Sequence, residues 1–146
     1  MDDGATPRTY EVDFDLGPSY VRVRLRGEID LTVYRDLADE LAGAALLGRP
    51  LLVVDLDRVT FLSIVGARLL LTVDSHMTAR GGRLAVVCRQ PHLQRLLRVA
   101  ELDRRLTLVP SLRAALGEGS APPAPATVAR RHWMVRHGIG PAQQSA

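Results

Sequence analysis

The chain has 146 residues and a mass of 16.0 kDa, with 47% hydrophobic and 24% charged residues. That is one ordinary globular domain, with no need of disulfide or metal staples. All 19 basic residues are arginine and Cys88 is the one cysteine, which excludes lysine chemistry, an internal disulfide and multi-cysteine metal sites. The net charge of +3 resides in Arg130, Arg131 and Arg136, because residues 1–120 carry as many arginines as acids. The folded part therefore offers no basic face for nucleic acid.

Residues 1–8 are expected to be a flexible N-terminus, acidic and without the apolar core of a secretion signal. Residues 10–16, Tyr-Glu-Val-Asp-Phe-Asp-Leu, and 20–26, Tyr-Val-Arg-Val-Arg-Leu-Arg, both alternate apolar and charged at period two around Gly17-Pro18-Ser19. They predict an antiparallel hairpin, one face buried, its acids pairing with its arginines across the strands. Gly27-Glu28-Ile29-Asp30 reads as a loop, and Thr32 as the cap of a helix over 34–47 with Leu37, Ala38, Leu41 and Ala45 on its apolar stripe. The apolar run 51–56 predicts a central strand covered on both faces. Residues 57–62 read as a short connection, and a second helix is expected over 64–79, stopped at Gly81-Gly82. A buried strand over 83–88, a helix over 92–99, a short edge at Leu106–Val109 and a helix at 111–116 complete the domain, 9–117. Helices crossing between buried strands imply an α/β fold, a mixed sheet of four to five strands with packed helices. From residue 118 to 146 a Pro/Ala-rich linker and a basic tail carry too little apolar surface to order themselves. Trp133, Met134 and Val135 are the tail's one sizeable apolar group, and self-association through it is a further expectation.

The chemistry-bearing residues do not assemble into a catalytic set. His76 and His92 lie on separate helices, and His132 and His137 fall in the tail, so no metal and no cofactor is expected. Cys88 ends a buried strand and reads as a small core residue. Asp13/Asp15 suit an exposed strand face, whereas Asp55/Asp57 straddle a strand end. There is no phosphate cradle, nucleophile elbow or dinucleotide fingerprint. Without a catalytic constellation no enzyme is expected, and because no apolar run approaches the roughly 20 residues of a bilayer span, a cytoplasmic protein is the expectation.

The informative stretch is Val59-Thr60-Phe61-Leu62-Ser63-Ile64-Val65-Gly66-Ala67-Arg68, where a chain leaving a buried strand turns at once into a helix. A helix start leaves about four backbone N–H groups unpaired and carries partial positive charge. Ser63 is the hydroxyl at the junction and a candidate cap.

Three passages carry a resemblance over about residues 10–117: Val23-Arg-Leu-Arg-Gly-Glu-Ile-Asp-Leu31, Leu52-Val-Val-Asp-Leu-Asp-Arg-Val-Thr-Phe-Leu62, and Gly81-Gly-Arg-Leu-Ala-Val-Val87 followed by a proline, a leucine-rich helix and Leu102-Asp103. In this order they resemble the STAS domain of bacterial anti-sigma factor antagonists. The resemblance implies a protein that binds an anti-sigma factor of the serine-kinase type and so frees a sigma factor. It also implies a phospho-switch at a serine in Asp-Ser-Ser-Gly, since a phosphate adds about −1.5 to −2 charges at the interface. Aligned on Gly66, that motif here reads Ser63-Ile64-Val65-Gly66, so the usual acceptor position holds Ile64 and has no hydroxyl. The expectation is a partner face of Asp30, Thr60, Ser63, Ile64, Val65 and Arg68 that is not phosphorylated at the usual position, with Ser63 as the one alternative acceptor. An accessory subunit or ligand-sensing scaffold of a transporter or signalling complex is the other reading.

Overall fold

The computed structural model describes residues 10–117 and 127–129. Strands β1 (Tyr10–Leu16) and β2 (Tyr20–Ile29) form the expected antiparallel hairpin. Gly17 has no side chain because a Cβ there would overlap the ring of Tyr20. Asp15, expected on an exposed strand face, is buried, and Arg22 donates two hydrogen bonds to its carboxylate, at 2.9 and 2.6 Å. Arg24 approaches the same carboxylate at 3.4 Å, and Arg26 meets Glu11 at 3.4 Å.

Two expected loops are strand. β2 continues through Gly27 and Glu28 to Ile29, and β3 (Leu51–Leu62) runs through the presumed connection 57–62. The two strands pair in parallel with register shifts between Arg24 and Arg26 and between Gly27 and Glu28. Each shift places one extra residue in β3, and an extra residue breaks the period-two pattern that marks a strand in sequence. The cap at Thr32 is also corrected. Asp30 caps a 3-10 turn (Leu31–Val33), accepting from the Thr32 amide at 3.0 Å and its hydroxyl at 2.6 Å. The residue preceding α1 (Tyr34–Ala45) is Val33, so the helix begins without a side-chain cap. It ends two residues short of Leu47, whose amide donates to the carbonyl three residues back, Ala44, at 3.2 Å rather than four back.

After β3 come α2 (Ile64–Ala79), β4 (Arg83–Val87), α3 (Pro91–Val99), β5 (Leu108–Val109) and α4 (Leu112–Leu116). The parallel strands β2 to β5 form the middle and one side of the sheet, with β1 antiparallel beside β2. A three-residue segment, β6 (Thr127–Ala129), pairs antiparallel with β1 and makes a sixth strand. It falls within the tail expected to be without order; residues 1–9, which include the expected flexible N-terminus 1–8, and residues 118–126 and 130–146 lie outside the described residues.

Both faces of the central strand are covered, as its unbroken apolar run predicts. Leu52, Val54 and Leu56 point into the main core with Leu37 and Leu41 of α1, Leu70 and Val73 of α2, and Leu93 and Leu97 of α3. Leu51 and Val53 point the other way, joining Tyr20, Ala85, Val87 and Ala115 under α4. Among the described residues no helix is long and apolar enough to cross a membrane.

Candidate functional site: an apolar face at the start of the second helix

β3 delivers the chain directly into α2, and the junction is fixed by backbone and cap. Ser63 adopts an extended conformation, and its hydroxyl accepts a 3.0 Å hydrogen bond from the Gly66 amide. That is the N-cap expected of a serine here, satisfying one of the helix's orphan donors. The Ser63 amide donates to the Ile29 carbonyl at 2.8 Å, tying the end of β2 to the start of α2. Gly66 permits this closeness: a Cβ would lie 3.2 Å from Leu62 and 3.3 Å from Ile29. Asp30, next along from Ile29, spends its carboxylate on Thr32 and holds the adjoining turn.

What this frame displays is apolar. Leu31 is 62% exposed, Phe61 50%, and Ile64 and Val65 38% each. Thr60 and Arg68 are exposed beside them, Arg68 one helical turn beyond Ile64 on the same side. The structure thus brings all six sequence-predicted residues to one end of the sheet, with Ser63 turned inward as a cap and Asp30 engaged in its turn. Sequence reasoning missed Leu31 and Phe61. Phe61 faces out because the extra residue at Thr60 shifts the alternation, and Leu31 follows Asp30 into an exposed turn; neither carries a signal separating it from a core residue.

A second group, also missed, holds the backbone beneath this face. β4 pairs with β3 only as far as Asp55 opposite Val87, so the last residues of β3 lack a strand on that side. The loop from β4 to α3 replaces it. The Gln90 side-chain amide donates to the carbonyls of Leu56 and Asp57 at 3.0 Å and of Val59 at 2.6 Å. His92 Nε2 lies 3.2 Å from the Thr60 carbonyl. Asp57 accepts from the Arg89 amide at 3.1 Å and from its guanidinium at 3.0 Å. Gln94 adds a bond to the Cys88 carbonyl at 3.0 Å.

The remaining candidates are structural. Burial pushes the Asp55 carboxyl above its ordinary range, against a hydrogen bond from the Asp57 amide. Asp57 is itself engaged by Arg89. Burial likewise pushes the Cys88 thiol up, away from the thiolate that nucleophilic chemistry needs. His76 is exposed on α2, far along the helix from the apolar face, and His132 and His137 lie outside the described residues. Among the described residues no three metal-ligating side chains converge.

The fold is thus a mixed sheet with helices packed on it, with exposed apolar side chains gathered where β3 meets α2. The chain belongs to the STAS family: the family model described as Mlab, STAS domain matches residues 12–110. Solved structures agree. An anti-sigma factor antagonist from Mycobacterium paratuberculosis is 27% identical, with 77% of this chain and 96% of that one covered and a TM-score of 0.69. An anti-sigma factor antagonist from Thermotoga maritima shares 15% identity over 72% of this chain and 91% of that one, with a TM-score of 0.66. The unphosphorylated anti-sigma factor antagonist SpoIIAA shares 17% over 72% and 92%, with a TM-score of 0.62. At those last two identities the likeness is one of fold. No curated protein matches the sequence significantly.

Proposed function

We propose that this protein is an anti-sigma factor antagonist that docks an anti-sigma factor of the serine-kinase type, in the cytoplasm, through the start of α2. The observation that carries the reading is the cluster of Leu31, Phe61, Ile64 and Val65, exposed around a capped helix start in a STAS domain. Support comes from the 27%-identical structure, itself an anti-sigma factor antagonist. Exposed apolar side chains on a rigid frame are the anchors of protein interfaces, where a few residues carry most of the binding energy. The role is binding, not catalysis.

The same residues make the complex insensitive to ATP. Ile64 occupies the position at which the resemblance places the acceptor and offers no oxygen to phosphorylate. The Ser63 hydroxyl is held as a cap on the Gly66 amide, so a kinase would first have to unwind the first turn of α2.

Incubation with the cognate kinase and ATP tests both parts. Wild type and Ser63→Ala are expected to take up no phosphate, and Ile64→Ser to take it up at residue 64. Phe61→Asp and Val65→Asp are each expected to weaken the complex by about tenfold or more. Stoichiometric phosphate on the wild type that vanishes in Ser63→Ala would overturn the loss of the switch. Capture of a transporter subunit through this face, with no anti-sigma factor bound, would replace the antagonist reading by that of an accessory subunit.

A further inference from the structure

Away from that face, a groove of about 420 Å³ runs between the solvent sides of α1 and α2. Small and apolar side chains line it, among them Ala38 and Ala42, and Leu46, at the end of α1, stands 71% exposed on its wall. Its charged residues are Asp39 on α1 and Arg80 at the end of α2, with His76 one turn before Arg80. Among the described residues neither Asp39 nor Arg80 has an ion-pair partner. A large leucine exposed on a groove wall beside two unpaired opposite charges is an incomplete interface.

We propose that a second copy of this chain fills the groove, the two α1 helices packing antiparallel about a two-fold axis near Ala42. The charges select this occupant. Under a two-fold axis each residue meets its mirror along the helix, so position 42 + k faces 42 − k of the partner. Leu46, four residues after the centre, then seats over Ala38 of the partner subunit, where the small side chain leaves room. Asp39, three residues before the centre, comes level with Ala45 of the partner subunit, and Ala45 lines the same groove as Arg80. At about 1.5 Å per residue both contacts lie within about 6 Å of the axis along the helix. One operation thus seats both leucines and pairs both aspartates with both arginines. The described residues of this surface are distinct from the apolar face at the start of α2, so the dimer leaves that face open.

Sedimentation equilibrium on the full chain, from low micromolar to sub-millimolar concentration, provides the test. The wild type is expected to be a dimer in reversible exchange with monomer. Asp39→Arg and Arg80→Asp should each weaken it by about tenfold, since each reversal sets two like-charge pairs in place. The double variant should recover to within about threefold of wild type, and Leu46→Arg should be monomeric. All of these side chains are exposed, and an unchanged unfolding midpoint of the Leu46→Arg monomer confirms that it is folded. A monomeric wild type overturns the proposal, as does a dimer unmoved by either charge reversal, which would place self-association elsewhere, the tail included. A monomer that binds an apolar fluorophore, and loses it in Leu46→Arg, would assign the groove to a small amphiphile and overturn it equally.

Discussion

Gln90→Ala isolates the support beneath the apolar face. The Gln90 amide offers two N–H groups to three carbonyls, those of Leu56, Asp57 and Val59. Leu56 and Val59 are buried, whereas Asp57 is partly open to water. Truncation leaves two buried acceptors without donors at about 1–3 kcal/mol each, reduced because one N–H is shared, for a loss of about 2–4 kcal/mol. Urea unfolding should show the midpoint falling with an unchanged slope. Gln90→Glu is the sharper variant. Its carboxylate faces the same carbonyls, so it should be less stable than Gln90→Ala at neutral pH. Repulsion raises its folded-state pKa above the unfolded value, so the folded state binds more protons and stability returns as pH falls through that raised value. A loss under about 0.5 kcal/mol for Gln90→Ala would refute the reasoning, because it would mean that water serves these carbonyls as well as the side chain does.

Ser63→Ala should cost about 1 kcal/mol through the lost cap, and Ser63→Asp should restore most of it, read as unfolding midpoints. Gly82→Ala should cost about 1–3 kcal/mol by calorimetry, because its Cβ would sit 2.8 Å from the Pro50 carbonyl oxygen and 2.9 Å from the Met77 methyl. Asp55 has a folded-state pKa raised by burial, so its contribution to stability falls as pH rises from the ordinary aspartate value through the raised one. Asp55→Asn keeps the acceptor for the Asp57 amide and should raise the neutral-pH midpoint while flattening the acid side of the profile; an unchanged profile would show that Asp55 is not the group responsible.

The hairpin, the central strand and α2 were legible because their patterns are regular. Period-two alternation gives Tyr10–Leu16 and Tyr20–Arg26, and the apolar run 51–56 gives a strand covered on both faces. The rest of β3 was hidden by its own extra residues, which put Thr60 and Phe61 both outward and erase the alternation. Asp30 against Thr32 as the capping residue is a choice between two good caps, decided by a tertiary constraint: Ile29 bonds the Ser63 amide and so fixes where the strand ends. The six residues of the proposed partner face came from resemblance, and they lie together because β2 and β3 are parallel neighbours whose ends lie side by side. Gln90 gave no signal at all, since its acceptors lie more than 30 residues earlier in the chain.

The division of labour around Ser63 bears on how such a module can diverge. The hydrogen bonds that fix this frame come from Gln90 to the β3 carbonyls, from Ser63 at the start of α2 and from Asp30 in the turn after β2. Leu31, Phe61, Ile64 and Val65 turn away from it. Substituting the outward set alters what is recognised, while exposed changes of this kind cost roughly 0.5 kcal/mol or less of folding stability. A lineage can therefore exchange partners through single steps at positions 31, 61, 64 and 65 and keep a folded protein at every intermediate. Substitution at 63 or 90 instead costs folding stability, about 1 kcal/mol for the cap and about 2–4 kcal/mol for the Gln90 amide, without changing the exposed surface.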